Sequence, residues 1–124
     1  MTIFFRKLAN IKKAKIKSIA DCFYDIDKVP TTEWEEWLGN YLSLVVPNRS
    51  SLMNKHNPKY VFRNWMAQLA IDKAEQGDFS IVNELYGLLK NPYDEQPEME
   101  EDWYQKRPEW AKNRVGCSML SCSS

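Results

Sequence analysis

Apolar positions recur at helical spacing from the start of the chain. In "TIFFRKLANIKKAKIKSIADCFYDI", Phe4, Leu8 and Ile11 share one face, and Ile16, Ile19, Ala20 and Phe23 then repeat at i, i+3, i+4 and i+7. The lysines between them are expected to face water. Pro30 discourages helix before it, and Thr32 with Glu35 has the spacing of a capping box. The next helix is clearer: Trp34, Trp37, Leu38, Tyr41, Leu42 and Val45 form a stripe that Pro47 closes.

The stretch "NRSSLMNKHNPKY" reads as a connecting loop that ends with Asn57 as N-cap and Pro58 at the first helical position. A helix is expected from there to Gln76, with Val61, Phe62, Trp65, Leu69 and Ala70 on its apolar face and Gly77 as the left-handed residue that ends it. Asp78 is placed to cap a second helix that buries Ile81, Val82, Leu85, Leu88 and Leu89, until Asn91 and Pro92 stop it. The pattern predicts an αα-hairpin over 58–90. It is similar to one unit of a helical repeat, but no second copy follows, which excludes a solenoid.

From Asn91 onward the periodicity ends. Pro92, Pro97 and Pro108 punctuate an acidic stretch, with Trp103, Tyr104 and Trp110 as candidate anchors of an extended, partly docked tail. No segment alternates as a half-buried strand does. The expected fold class is all-α, with a helical subdomain of about four helices over 1–90 and an acidic, Pro-containing tail over 91–124 that ends in a Cys motif.

Composition sharpens this picture in three ways. A length of 124 residues suits one modest core, and five Trp, six Tyr and five Phe supply an unusual number of rings to bury. Seventeen basic and seventeen acidic side chains give no overall field that calls for nucleic acid or an anionic membrane. The balance conceals a split: residues 1–29 carry seven basic and three acidic side chains, while 91–104 carry six acidic and no basic ones. No apolar run reaches the roughly 20 residues that span a bilayer, and the N-terminus has no secretory pattern, so an intracellular protein is expected. Three cysteines in such a chain are not a structural disulfide framework.

Candidate chemistry is sparse. Gly39, Gly77, Gly87 and Gly116 are scattered singly, so no glycine-rich phosphate loop exists, and neither HRD nor DFG occurs. His56, the sole histidine, reads as a solvated loop residue, and Cys22, Cys117 and Cys122 lack metal-site spacing. Glu35 and Glu36 point in different directions on a helix, and 94–102 reads as a solvated acidic run. Lys12, Lys13, Lys15 and Lys17 have no interleaved aromatics for stacking bases. Arg63 and Asn64, beside Trp65, read as structural. No catalytic, cofactor-binding or metal residue is assigned. The tail thiols Cys117 and Cys122 read equally as exposed terminal cysteines or as a redox site reached by a distant partner.

Longer strings add a resemblance. "NPKYVFRNWMAQLAIDKAEQGDF", "LLKNPYDEQPE", "RPEWA" and the terminal "SCSS" occur in the order found in the C-terminal region of the selenoprotein O family, and "TIFFRKLA" and "WEEWLGNYL" resemble the helices before it. The resemblance implies a protein adenylyltransferase with a kinase-like fold that uses ATP and Mg²⁺ or Mn²⁺ to place AMP on Ser, Thr or Tyr hydroxyls of proteins. It implies that this chain is the last, non-catalytic part, with no cofactor of its own and an upstream kinase-like core as its partner. Some animal members carry selenocysteine where Cys122 stands, which implies a redox role for Cys122, with a disulfide partner in the upstream catalytic part or, as the local alternative, Cys117. The compartment implied is cytoplasmic in a bacterium and mitochondrial in a eukaryote. The isolated chain is expected to self-associate through its apolar faces. The alternative is a stand-alone helical interaction module that docks a protein on the Trp34–Trp37 face.

Overall fold

The computed structural model describes residues 2–117, and every regular element among them is helical. Contacts divide the chain into two units, one ending at Pro58 and the other beginning at Lys59.

In the first unit, α1 (Thr2–Asn10), α2 (Thr31–Leu44) and α3 (Arg49–His56) are joined by 3-10 turns over Ile16–Cys22 and Ile26–Lys28. Leu8, Ile11, Ile16, Ile19 and Leu38 form the core, Leu8 and Ile11 coming from the first expected apolar face, Ile16 and Ile19 from the second and Leu38 from the stripe on α2. The second repeat takes 3-10 rather than α geometry. The expected capping partner of Thr32 is engaged elsewhere: the Glu35 carboxylate accepts the Ile16 amide at 3.1 Å, which fastens the 3-10 turn to α2. The stretch expected to be a loop contains α3, which packs on α1. Asn57 ends α3 instead of starting a helix: its amide and its side chain both donate to the Met53 carbonyl, at 2.9 and 2.7 Å. Arg6 holds that end from α1 by donating to the Asn57 carbonyl at 2.9 Å.

A chain of rings lines this unit. Phe4 meets Trp34 edge-on at 5.9 Å, Trp34 meets Trp37 at 5.7 Å, and Trp37 stacks on Tyr41 with an interplanar angle of 8°. Trp37, at the open side of the stack, remains 44% exposed.

The second unit is built on α4 (Asn64–Ala74) and α5 (Ser80–Lys90), packed against each other. The turn between them is the expected one. Gly77 has φ +81°, which only glycine adopts without strain, and the Asp78 carboxylate accepts the Ser80 amide at 2.9 Å. The first helix is shorter than periodicity predicts, because residues 57–63 are not helical. Phe62, expected on the buried face, is exposed in consequence. After α5, a 3-10 turn over Pro97–Met99 leads into α6 (Glu100–Trp103), and a last turn covers Glu109–Lys112. Trp103 joins Tyr60, Trp65, Met66, Leu85, Leu88, Ala111 and Cys117 in one core. Its ring stacks on Trp65 at 5.9 Å, and its indole N–H donates to Glu84.

Candidate functional site

Two fastenings in the second unit hold the segments that follow α5. The first is centred on Lys59. Its amide and that of Tyr60 both donate to the Pro92 carbonyl, at 2.7 and 3.1 Å. Its ammonium donates to the Glu95 carbonyl at 2.7 Å and to the carboxylates of Glu95 and Glu100 at 2.9 and 2.8 Å. The rings of Tyr60 and Tyr104 flank it, 5.6 and 5.2 Å from the nitrogen. Only 4% of the lysine side chain is exposed.

Burial of that ammonium works against its charge, but the hydrogen bonds to Glu100 and Glu95 outweigh it, and the pKa lies above the ordinary lysine value. Burial also raises the Tyr60 phenol above its usual range, with Lys59 opposing. The Tyr60 hydroxyl donates toward the carbonyls of Glu95 and Gln96, at 3.0 and 2.8 Å. Gln96 takes a left-handed φ of 36°, and its side-chain amide donates to the carbonyls of Leu88 and Asn91 at the end of α5.

The second fastening leads to the cysteines. Arg114 donates to Asp72 on α4 at 2.7 Å and lies over the Trp110 ring at 5.7 Å. Gln68, one turn before Asp72, donates to the same carboxylate oxygen at 2.9 Å. Hydrogen bonds from Arg114 and Gln68 hold the Asp72 carboxyl below the usual carboxylate range, and the same pairing raises the Arg114 guanidinium. Gly116 then turns the chain at φ +87°, and Cys117 enters the core with none of its surface exposed.

Of the two redox candidates, Cys117 is therefore a core residue, and Cys122 lies outside the described residues. A thiol in such surroundings is not reachable for exchange while the unit is closed. His56 is exposed at the end of α3, and Arg63 is the extended residue before α4. Among the described residues, no three His, Cys, Asp or Glu side chains converge to hold a metal ion, and no helix is long and apolar enough to cross a membrane.

Lys59 is the residue that sequence reasoning missed. Its neighbours gave no local signal. The distant one was the acidic stretch 91–104, six carboxylates with no cation of its own.

No family model matches the chain. Over its full length it is similar to proteins described as protein nucleotidyltransferase YdiU. That of Flavobacterium johnsoniae is 50% identical over 138 aligned residues, covering 100% of this chain and 26% of that protein. Those of Aromatoleum aromaticum and Rhodopirellula baltica are 45% and 42% identical, again over 100% of this chain, covering 25% and 27% of their own lengths. The chain thus spans about a quarter of the curated relatives it matches.

Proposed function

We propose that the chain is the C-terminal part of a selenoprotein O-like, YdiU-like protein adenylyltransferase, an enzyme that transfers AMP from ATP to Ser, Thr or Tyr hydroxyls of proteins. The observation that carries this reading is the 50% identity over the whole chain to about a quarter of a protein nucleotidyltransferase. The described residues do not fit a metal–nucleotide site. Glu95 and Glu100, which converge on Lys59, are both engaged by its ammonium. The family resemblance is what assigns ATP and Mg²⁺ or Mn²⁺ to an upstream kinase-like core, and this chain to supporting that core and carrying Cys122.

In this role the two fastenings hold the segment after α5 on the second unit. Cys122 is the redox-regulatory residue, a reading supported by the selenocysteine that some animal members of the family carry there, with its disulfide partner in the upstream part or, locally, Cys117. A second reading, a stand-alone helical interaction module, is favoured by one observation: Trp37 is 44% exposed at the end of the ring stack.

The test incubates the purified chain with ATP labelled at the α-phosphate, Mg²⁺ or Mn²⁺ and a general protein substrate. No label is expected on the chain or on the substrate, and AMP transfer by the chain alone overturns the division of labour. The coding sequence upstream of Met1 separates the two readings. A continuous kinase-like reading frame supports the enzyme part, and its absence supports the module. Differential alkylation of the full-length enzyme tests the thiol: a Cys122 equally modified under oxidising and reducing conditions removes the redox role.

A further inference from the structure

Cys117 contributes nothing to the surface, yet residues 113–116 immediately before it are all exposed, Val115 by 83%. The thiol is inserted into the core by a turn that itself lies outside. The Cys117 amide donates to the Arg114 carbonyl at 3.1 Å, and Gly116 supplies the positive φ the turn needs. What fastens this turn to α4 is the bond from Arg114 to Asp72 at 2.7 Å, with Gln68 bracing the same oxygen. Gln68 also closes over Gly116: its amide oxygen is 3.0 Å from where a Cβ on that glycine would stand. The ion pair is partly open to water, with 42% and 29% of the Arg114 and Asp72 side chains exposed, so it is a modest fastening. The rest of the core is supplied by residues up to Ala111, and α4 and α5 need not separate for the turn to lift.

We propose that the Asp72–Arg114 pair is a latch that keeps the Cys117 thiol inside the second unit, and that lifting of residues 113–117, with the helices intact, is the event that exposes it. A latch of this kind decides when a second cysteine becomes available near the end of the chain. It stands on the geometry of Gln68, Asp72, Arg114 and Gly116. Its use in redox regulation rests on the family reading above.

Iodoacetamide labelling of the native full chain, resolved by peptide mass spectrometry, reads Cys117 against the half-buried Cys22 as internal reference. Cys117 is expected to label at least about tenfold more slowly than Cys22, with a rate that stays nearly flat in urea below the unfolding transition, because lifting one turn exposes little surface. Asp72→Asn is expected to raise the Cys117 rate about two- to fivefold, and Gly116→Ala at least about fivefold, with Cys22 unchanged. A Cys117 rate that climbs with urea in step with global unfolding overturns the latch, as does a rate that neither variant changes. The urea series needs no substitution, so it decides the matter even where a variant does not fold. Failure of the AMP-transfer or Cys122 experiments leaves these rates untouched, so the two ideas fail separately.

Discussion

The Lys59 ammonium lies 2.8 Å from the Glu100 carboxylate, with 4% of the lysine side chain exposed against 47% of the glutamate. The pair is therefore asymmetric: the cation is buried, and the anion is half in water. Removing the cation strips two carboxylates and a carbonyl of their shared donor, whereas removing Glu100 leaves Lys59 with Glu95. Lys59→Met is expected to destabilise the second unit by roughly 2 kcal/mol and Glu100→Gln by about 1 kcal/mol, read as shifts in urea unfolding. An equal or inverted pair of costs counts against Lys59 as the centre of the fastening.

The same site sets an alkaline limit. Lys59 and Tyr60 both have folded pKa values above the ordinary 10.5 and 10.0, so each binds its proton more tightly when folded. Their contribution is complete below pH 10.0 and is lost as pH rises through the folded values. Unfolding free energy should fall from pH 10 upward, and Tyr60→Phe should flatten part of that slope. Denaturation curves collected across the alkaline range measure it.

Gly77 tests backbone against space. Its φ is +81° and nothing lies within 4 Å of where a Cβ would stand. Gly77→Ala should therefore cost about 1 kcal/mol by conformation alone, with Gly77→Asn milder because asparagine tolerates the left-handed region. Thermal unfolding of the two variants would show it, and a neutral alanine would mean that the turn is not held at this conformation.

Trp103 is 5% exposed, stacked on Trp65 and hydrogen-bonded to Glu84. Trp103→Ala should cost about 3–5 kcal/mol and Trp103→Phe less, since phenylalanine restores most of the packing and loses the N–H donor. Circular dichroism melts read the loss. A mild alanine would show that the segment after α5 contributes little to this core.

The parts of the fold legible in sequence are those set by local chemistry. The apolar positions Leu8 and Ile11, then Ile16 and Ile19, the stripe through Leu38 and the Gly77 turn follow from spacing and from the φ that glycine permits. The non-helical path at Lys59 and Tyr60 is illegible because their amides go to Pro92, far along the chain, and no local pattern signals a distant acceptor. Glu35 misled for the same reason: it has capping spacing with Thr32 but serves Ile16. At Cys117, sequence offered either an exposed cysteine or a redox site, and the structure buries it. Cys117 is buried beside Arg114, whose partner Asp72 lies on another element and offers no spacing to read.

Residue 92 can only accept in the contact it makes. Its carbonyl takes the amides of Lys59 and Tyr60, and as a proline it has no N–H to give back. Hydrogen bonding there runs in one direction only, so the meeting of these two irregular segments has no reciprocal donor from which a β-ladder could grow. Pro92 thus accepts two bonds in this contact and returns none of its own.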